Sequence, residues 1–73
     1  METRDMVRMA NQIADFFSAY GHDEAVKETA NHIRMFWEPR MRIQLHDHVA
    51  KGAEGLKAVV VEAVGRLTPP KAA

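Results

Sequence analysis

The sequence has no cysteine among its 73 residues, so no disulfide and no thiolate metal site stabilises it. It also has no net charge, with ten Lys and Arg against ten Asp and Glu, which disfavours a binder that neutralises many phosphates. No window approaches the ~20 apolar residues of a membrane span, and Met1 to Asp5 lack the apolar run of a signal peptide. These absences predict a cytoplasmic chain that does not enter a membrane.

The length of the chain predicts one domain with a small core. A chain of this size buries only roughly 60% of its unfolded surface, and such a core rarely contributes more than about 3–5 kcal/mol. We expect a single helical domain over residues 1–67. Residues 68–73 contain Pro69 and Pro70 and are predicted to form a flexible C-terminal tail.

Apolar residues at three- and four-residue spacing predict two helices in the first half of the chain. The first runs from Arg4 to Tyr20, Gly21 is expected to end it, and Asp23 is expected to cap the second, from Glu24 to Trp37. The predicted buried face of the first helix consists of Met6, Met9, Ile13, Phe16, Phe17 and Tyr20. The predicted buried face of the second consists of Val26, Ala30, Ile33 and Trp37.

Two further helices are predicted in the second half. Pro39 disfavours helical geometry at Glu38 and suits a first helical position, so the third helix should start at Pro39 and end near Lys51. The fourth helix, after Gly55, should bury Leu56, Val60, Ala63 and Leu67. The expected fold is therefore all-α, a small bundle of three to four short amphipathic helices of about eleven to seventeen residues each.

The side chains that carry chemistry do not form a recognisable active site. His46 and His48 are two residues apart and so do not share a helix face, as metal ligands usually do. No Ser has a nearby His and an orienting acid, and no glycine-rich phosphate loop is present. We predict that the chain is not an enzyme by itself and binds no metal or cofactor.

The segment from Arg34 to Arg42, which we call the corner segment, concentrates bulk and charge. It contains the single Trp, one Phe, one Pro and three Arg, and Met35 and the neighbouring Ile43 lie off the predicted helix faces. Trp and Arg are enriched at the energetic centres of protein interfaces, although Trp37 is equally well placed to fill the space between two helices. The predicted partner-binding residues are Met35, Phe36, Trp37, Pro39, Arg40, Arg42 and Ile43.

Three stretches resemble a known family in order and spacing as well as in residue type. They are residues 8–17 (RMANQIADFF), residues 24–26 (EAV), and residues 31–34 (NHIR) leading to residues 36–42 (FWEPRMR). They are similar to the small delta subunit of cytoplasmic NAD-dependent, molybdenum-containing formate dehydrogenases, and the resemblance covers about residues 6 to 67.

This resemblance implies a non-catalytic accessory subunit. It would bind the large alpha subunit and support cofactor insertion, assembly or stability of the complex. The partner subunits would hold bis-molybdopterin guanine dinucleotide, iron–sulfur clusters and FMN, and neither nucleic acid nor membrane is an expected partner.

Two rival functions stay open from the sequence. Arg34, Arg40 and Arg42 surround an aromatic pair, which is also a pattern for a small nucleic-acid-binding helical regulator. A free-standing homo-oligomeric bundle is the other alternative.

Overall fold

A computed structural model describes residues 1–70 and contains four α-helices and one 3₁₀ turn, with no strand among those residues. The helices are α1 (Thr3–Phe17), α2 (His22–Phe36), α3 (Pro39–Ala50) and α4 (Ala58–Gly65), and the 3₁₀ turn is Ser18–Tyr20. The all-α prediction is confirmed. The domain bounds stay a prediction, and the last three residues of the predicted tail lie outside the described residues.

The connection between α1 and α2 departs from the prediction at its cap. Gly21 has φ +86°, a conformation that glycine adopts at little cost, so this residue does end the first helical segment as expected. However, α2 already begins at His22, and Gly21 rather than Asp23 precedes its first residue, without a side-chain cap. Asp23 lies instead in the first turn, where its negative charge interacts favourably with the helix dipole.

The corner between α2 and α3 forms as the proline predicts. Trp37 and Glu38 are both extended, with ψ 134° and 158°, and Pro39 is the first residue of α3. Because a residue before proline avoids helical geometry, α2 cannot continue through Glu38. The chain therefore changes direction between Phe36 and Pro39.

All four helices contribute to the core. The main cluster contains Met6, Ala10, Ala14, Ile33, Trp37, Leu45, Val60 and Val64, and a second cluster of Val26, Ala30 and Ala63 joins α2 to α4. The predicted buried face of α2 is thus confirmed, and the consecutive valines after Ala58 are helical as expected.

The predicted buried face of α1 is wrong at Phe16 and Tyr20, which are 74% and 60% exposed. The buried residues of α1 are Met6, Ala10 and Ala14. Phe16 lies about 160° around α1 from Ala14 and about 120° from Ala10, so it points away from the buried face. In addition, α1 ends at Phe17, so the helical register does not continue to Tyr20.

The fourth helix is shorter than predicted, at eight residues, because residues 51–57 form a turn. In this turn Ala53 has φ +58° and Gly55 has φ +81°. The Asn11 side chain holds the turn against α1, since its Nδ2 donates to the Gly55 carbonyl at 2.9 Å and its Oδ1 accepts from the Lys57 backbone N–H at 3.0 Å. A long-range polar contact of this kind has no periodic signal in the sequence.

Candidate protein interface

Of the seven residues predicted to bind a partner, four are exposed, two are partly buried and one is buried. Met35 and Phe36 are 66% and 70% exposed, at the last turn of α2. Pro39 and Arg40 are exposed at the start of α3, and Arg42 and Ile43 are partly buried one turn later. Trp37 is only 7% exposed. A partner therefore has direct access to Met35, Phe36, Pro39 and Arg40, and their role in binding stays a prediction.

Trp37 holds the corner segment onto the core. Its side chain belongs to the main cluster, and its backbone N–H donates to the Ile33 carbonyl at 3.0 Å, which closes the last turn of α2. Because Trp37 is extended while Phe36 is helical, the two neighbouring side chains face different environments. The prediction that Trp37 occupies a core position while Met35 faces solvent is confirmed.

The three arginines of the corner segment differ in their surroundings. Arg34 is exposed and donates from Nη2 to the Asn31 side-chain oxygen at 3.3 Å, within α2. Arg42 is partly buried on α3, and its Nε has no hydrogen-bond partner among the described residues. The pKa of His46 lies below its usual 6.5. The larger cause is partial burial of His46, and the smaller is the positive charge of Arg42, one helical turn earlier.

A set of aromatic rings that the sequence analysis did not identify as a surface lies where the end of α1 meets α2. We call it the ring cluster, and it consists of Phe16, Phe17, Tyr20, His32 and Phe36. Ring centroids are 5.0 Å apart for Phe16 and Phe17, 5.9 Å for Phe17 and Tyr20, and 6.5 Å for Phe17 and His32. The His32 and Phe36 centroids are 4.8 Å apart, which links the cluster to the corner segment.

The ring cluster was missed because its α1 members were assigned to the core. One signal was available in the sequence: Phe16 and Phe17 are consecutive and so lie about 100° apart around a helix, which prevents both from occupying the centre of one face. Phe17 and His32 are partly buried, whereas Phe16, Tyr20 and Phe36 are exposed. Three exposed rings at one end of so small a protein form an unusual apolar surface.

The other polar features of the described residues are dispersed. Within residues 1–70, no three His, Asp or Glu side chains come together in a way that would hold a metal ion. His22 pairs with Glu62, and Lys57 with Asp15, so these contacts join α2 to α4 and α1 to the turn before α4. A shallow groove of about 380 Å³ lies beside Thr3 and Glu54, at the far end of α1 from the ring cluster. None of the helices among residues 1–70 is long and apolar enough to cross a membrane.

The fold and this surface define a class: a small all-α module with a sparse core and exposed aromatic and methionine side chains around one corner. Comparison with protein families makes the assignment specific. The chain belongs to the FdsD family, the delta subunits of NADH-dependent formate dehydrogenase, whose family model matches residues 5–64. Neither the curated proteins nor the solved structures searched contain a match to the chain. The family resemblance found from the sequence is thus confirmed.

Proposed function

We propose that this chain is a non-catalytic accessory subunit that docks on the large, molybdenum-containing alpha subunit of a cytoplasmic formate dehydrogenase. Membership of the delta-subunit family supports a place in such a complex. The observation that carries the docking surface is the contrast at the corner segment. Trp37 is buried in the core, while Met35 and Phe36, immediately before it, are exposed on an ordered helix end.

The exposed side chains of the corner segment are suited to an energetic role in binding. Removing one large apolar side chain from water contributes about 1.5–3 kcal/mol, so Met35 and Phe36 together can contribute several kcal/mol to association. Arg40 is exposed beside them and has no salt-bridge partner within residues 1–70. A carboxylate of the alpha subunit is a fitting partner for its guanidinium, because such pairs form two parallel hydrogen bonds.

Binding also addresses the small core of this chain. A partner that binds only the folded form stabilises it by mass action, by about 2.7 kcal/mol at a concentration one hundred times the Kd. For a core expected to contribute about 3–5 kcal/mol, this is a large addition. The proposed subunit is therefore marginally stable alone and more stable in the complex.

The cofactors of the reaction belong, in this proposal, to the partner subunits. Those subunits hold the bis-molybdopterin guanine dinucleotide centre, the iron–sulfur clusters and FMN. The absence of cysteine from this chain supports this assignment for the iron–sulfur clusters, since those clusters are held by cysteine thiolates. The contribution of this chain is to support cofactor insertion, assembly or stability of the large subunit.

The test is co-purification of the tagged chain with the alpha subunit produced in the same cells. We expect the wild-type chain to retain the alpha subunit, and the double variant Phe36→Ala/Arg40→Ala to lose it while keeping a wild-type circular dichroism spectrum. Lys51→Ala is the control, because Lys51 is an exposed cation at the opposite end of α3 from Arg40. It should not change the amount of alpha subunit recovered.

The supporting role has its own readout. The molybdenum content of alpha subunit purified from cells that lack this chain should be lower than that from cells that contain it. Equal molybdenum content and equal stability of the alpha subunit in both preparations would contradict the supporting role. Full recovery of the alpha subunit with the folded double variant would contradict the docking surface.

A further inference from the structure

The ring cluster extends the exposed surface beyond the corner segment. Phe36 belongs to both, and from it the rings continue through His32 to Phe17, Tyr20 and Phe16. Phe16 stands edge-on to Phe17, with an interplanar angle of 87°. Phe16, Tyr20 and Phe36 are at least 60% exposed, so most of their ring surface is open to solvent.

Two negative charges lie on α2 on the N-terminal side of His32, at the end of the ring cluster away from the corner segment. Glu28 lies one turn before His32 on α2, and Glu24 lies one turn before Glu28, so all three follow one side of the helix. Neither glutamate has a salt-bridge partner within residues 1–70. The basic residues of α2, Lys27 and Arg34, lie about 100° and 120° around the helix from Glu28, and Lys27 is about 60° from Glu24.

An aromatic ring one helical turn from an unpaired carboxylate suits a cation that is flat and weakly hydrated. A guanidinium group stacks on an aromatic ring and still donates hydrogen bonds in its own plane to a carboxylate. A lysine ammonium is a compact and strongly hydrated charge, and it does not cover a ring face in this way. The rings alone would fit any apolar partner, whereas the adjacent glutamates favour a basic one.

We propose that the ring cluster binds an arginine-bearing apolar segment of the large subunit, with one guanidinium stacked on an exposed ring and paired with Glu28 or Glu24. This inference rests on the proposed function and specifies the chemistry of the partner surface. The rings supply most of the buried area, and the glutamates select a partner segment of positive charge. The interface then runs from the ring cluster through Phe36 to the corner segment.

The experiment measures the Kd between this chain and purified alpha subunit at low and high salt. We expect Phe16→Ala/Tyr20→Ala to raise the Kd at least about tenfold, the size of effect that an interface hot spot produces. Glu24→Lys/Glu28→Lys should raise it by a similar factor at low salt and by less at high salt, because salt screens the charges. Each variant is first shown to be folded by its circular dichroism spectrum and thermal midpoint.

The matched control for charge is Glu54→Lys. Glu54 is an exposed glutamate beside Thr3 at the start of α1, whereas Phe16 lies near the end of that helix. This change should leave the Kd as in the wild type. This control changes the net charge by two units, against four in Glu24→Lys/Glu28→Lys. About half of the double variant's loss of binding free energy in this control would show that net charge, rather than the site beside the rings, governs association, and would overturn the proposal.

Four other outcomes also overturn it. Unchanged binding by both double variants would show that the ring cluster is outside the interface while leaving the proposed function standing. Loss of binding in the ring variant alone would exclude the cationic partner. Dimerisation of the isolated chain that Phe16→Ala/Tyr20→Ala abolishes would identify a second copy as the occupant. If the wild-type chain fails to bind the alpha subunit, the inference and the proposed function both fail.

Discussion

Replacing Trp37 by alanine is predicted to unfold the chain, whereas replacing its neighbour Phe36 is predicted to weaken binding and leave the chain folded. Trp37 is 7% exposed and packs in the main cluster, whereas Phe36 is 70% exposed. Removing a buried Trp side chain costs about 3–5 kcal/mol, from lost burial and from the cavity that remains. Removing an exposed side chain usually changes stability by about 0.5 kcal/mol or less.

These magnitudes decide the outcome because the total stability is small. A core of this size contributes about 3–5 kcal/mol, so Trp37→Ala removes most or all of the free energy of unfolding of the isolated chain. We therefore expect Trp37→Ala to be largely unfolded in dilute buffer. Phe36→Ala should remain folded and bind the alpha subunit more weakly.

The assay is urea denaturation of the isolated chain followed by far-ultraviolet circular dichroism. With a denaturant slope of about 1 kcal/mol per molar urea, Trp37→Ala should lower the midpoint by about 3 M or abolish the folded baseline. Phe36→Ala should lower the midpoint by no more than about 0.5 M. Equal midpoint shifts in the two variants would refute the division of the corner segment into a buried and an exposed side.

Two further predictions concern the turn after α3 and the pKa of a histidine. Gly55→Ala should lower the free energy of unfolding by about 1–2 kcal/mol, because Gly55 has φ +81° and a new Cβ would lie 3.3 Å from a methyl group of Val7. Gly65→Ala is its control and should raise the free energy of unfolding by up to about 1 kcal/mol, since nothing lies within 4 Å of the added Cβ in α4. Urea midpoints measure both changes, and midpoint shifts of the same sign in the two variants would contradict the reasoning. The pKa of His46, measured by NMR titration, should lie below 6.5 and should rise in Arg42→Ala, where one of its two causes is removed. Because the pKa of His46 is lower in the folded chain, the unfolded chain binds the proton more readily, and the free energy of unfolding decreases as the pH falls from 6.5 toward the folded-state pKa. An unchanged pKa of His46 in Arg42→Ala would contradict the role of Arg42.

Local rules in the sequence were sufficient for the positions of the helices. The three-to-four spacing of apolar residues predicted all four, and Pro39 located the start of α3 to the residue. The predictions of a cap at Asp23 and of a longer α4 were wrong, because several nearby residues can begin or end a helix. Long-range contacts such as those of Asn11 with the turn before α4 help to determine where a helix begins. A single sequence carries no signal for a partner that is more than forty positions away.

The sequence by itself determined the family, the all-α class and the sharp corner at Pro39, because these depend on local composition, spacing and backbone geometry. Only the tertiary structure decided which apolar side chains are covered. Helical spacing gives a residue's angle on its own helix, but burial depends on which neighbouring helix approaches and how closely. The neighbours of α1 pack on the face formed by Met6, Ala10 and Ala14, and Phe16, Tyr20 and Phe36 remain at the surface.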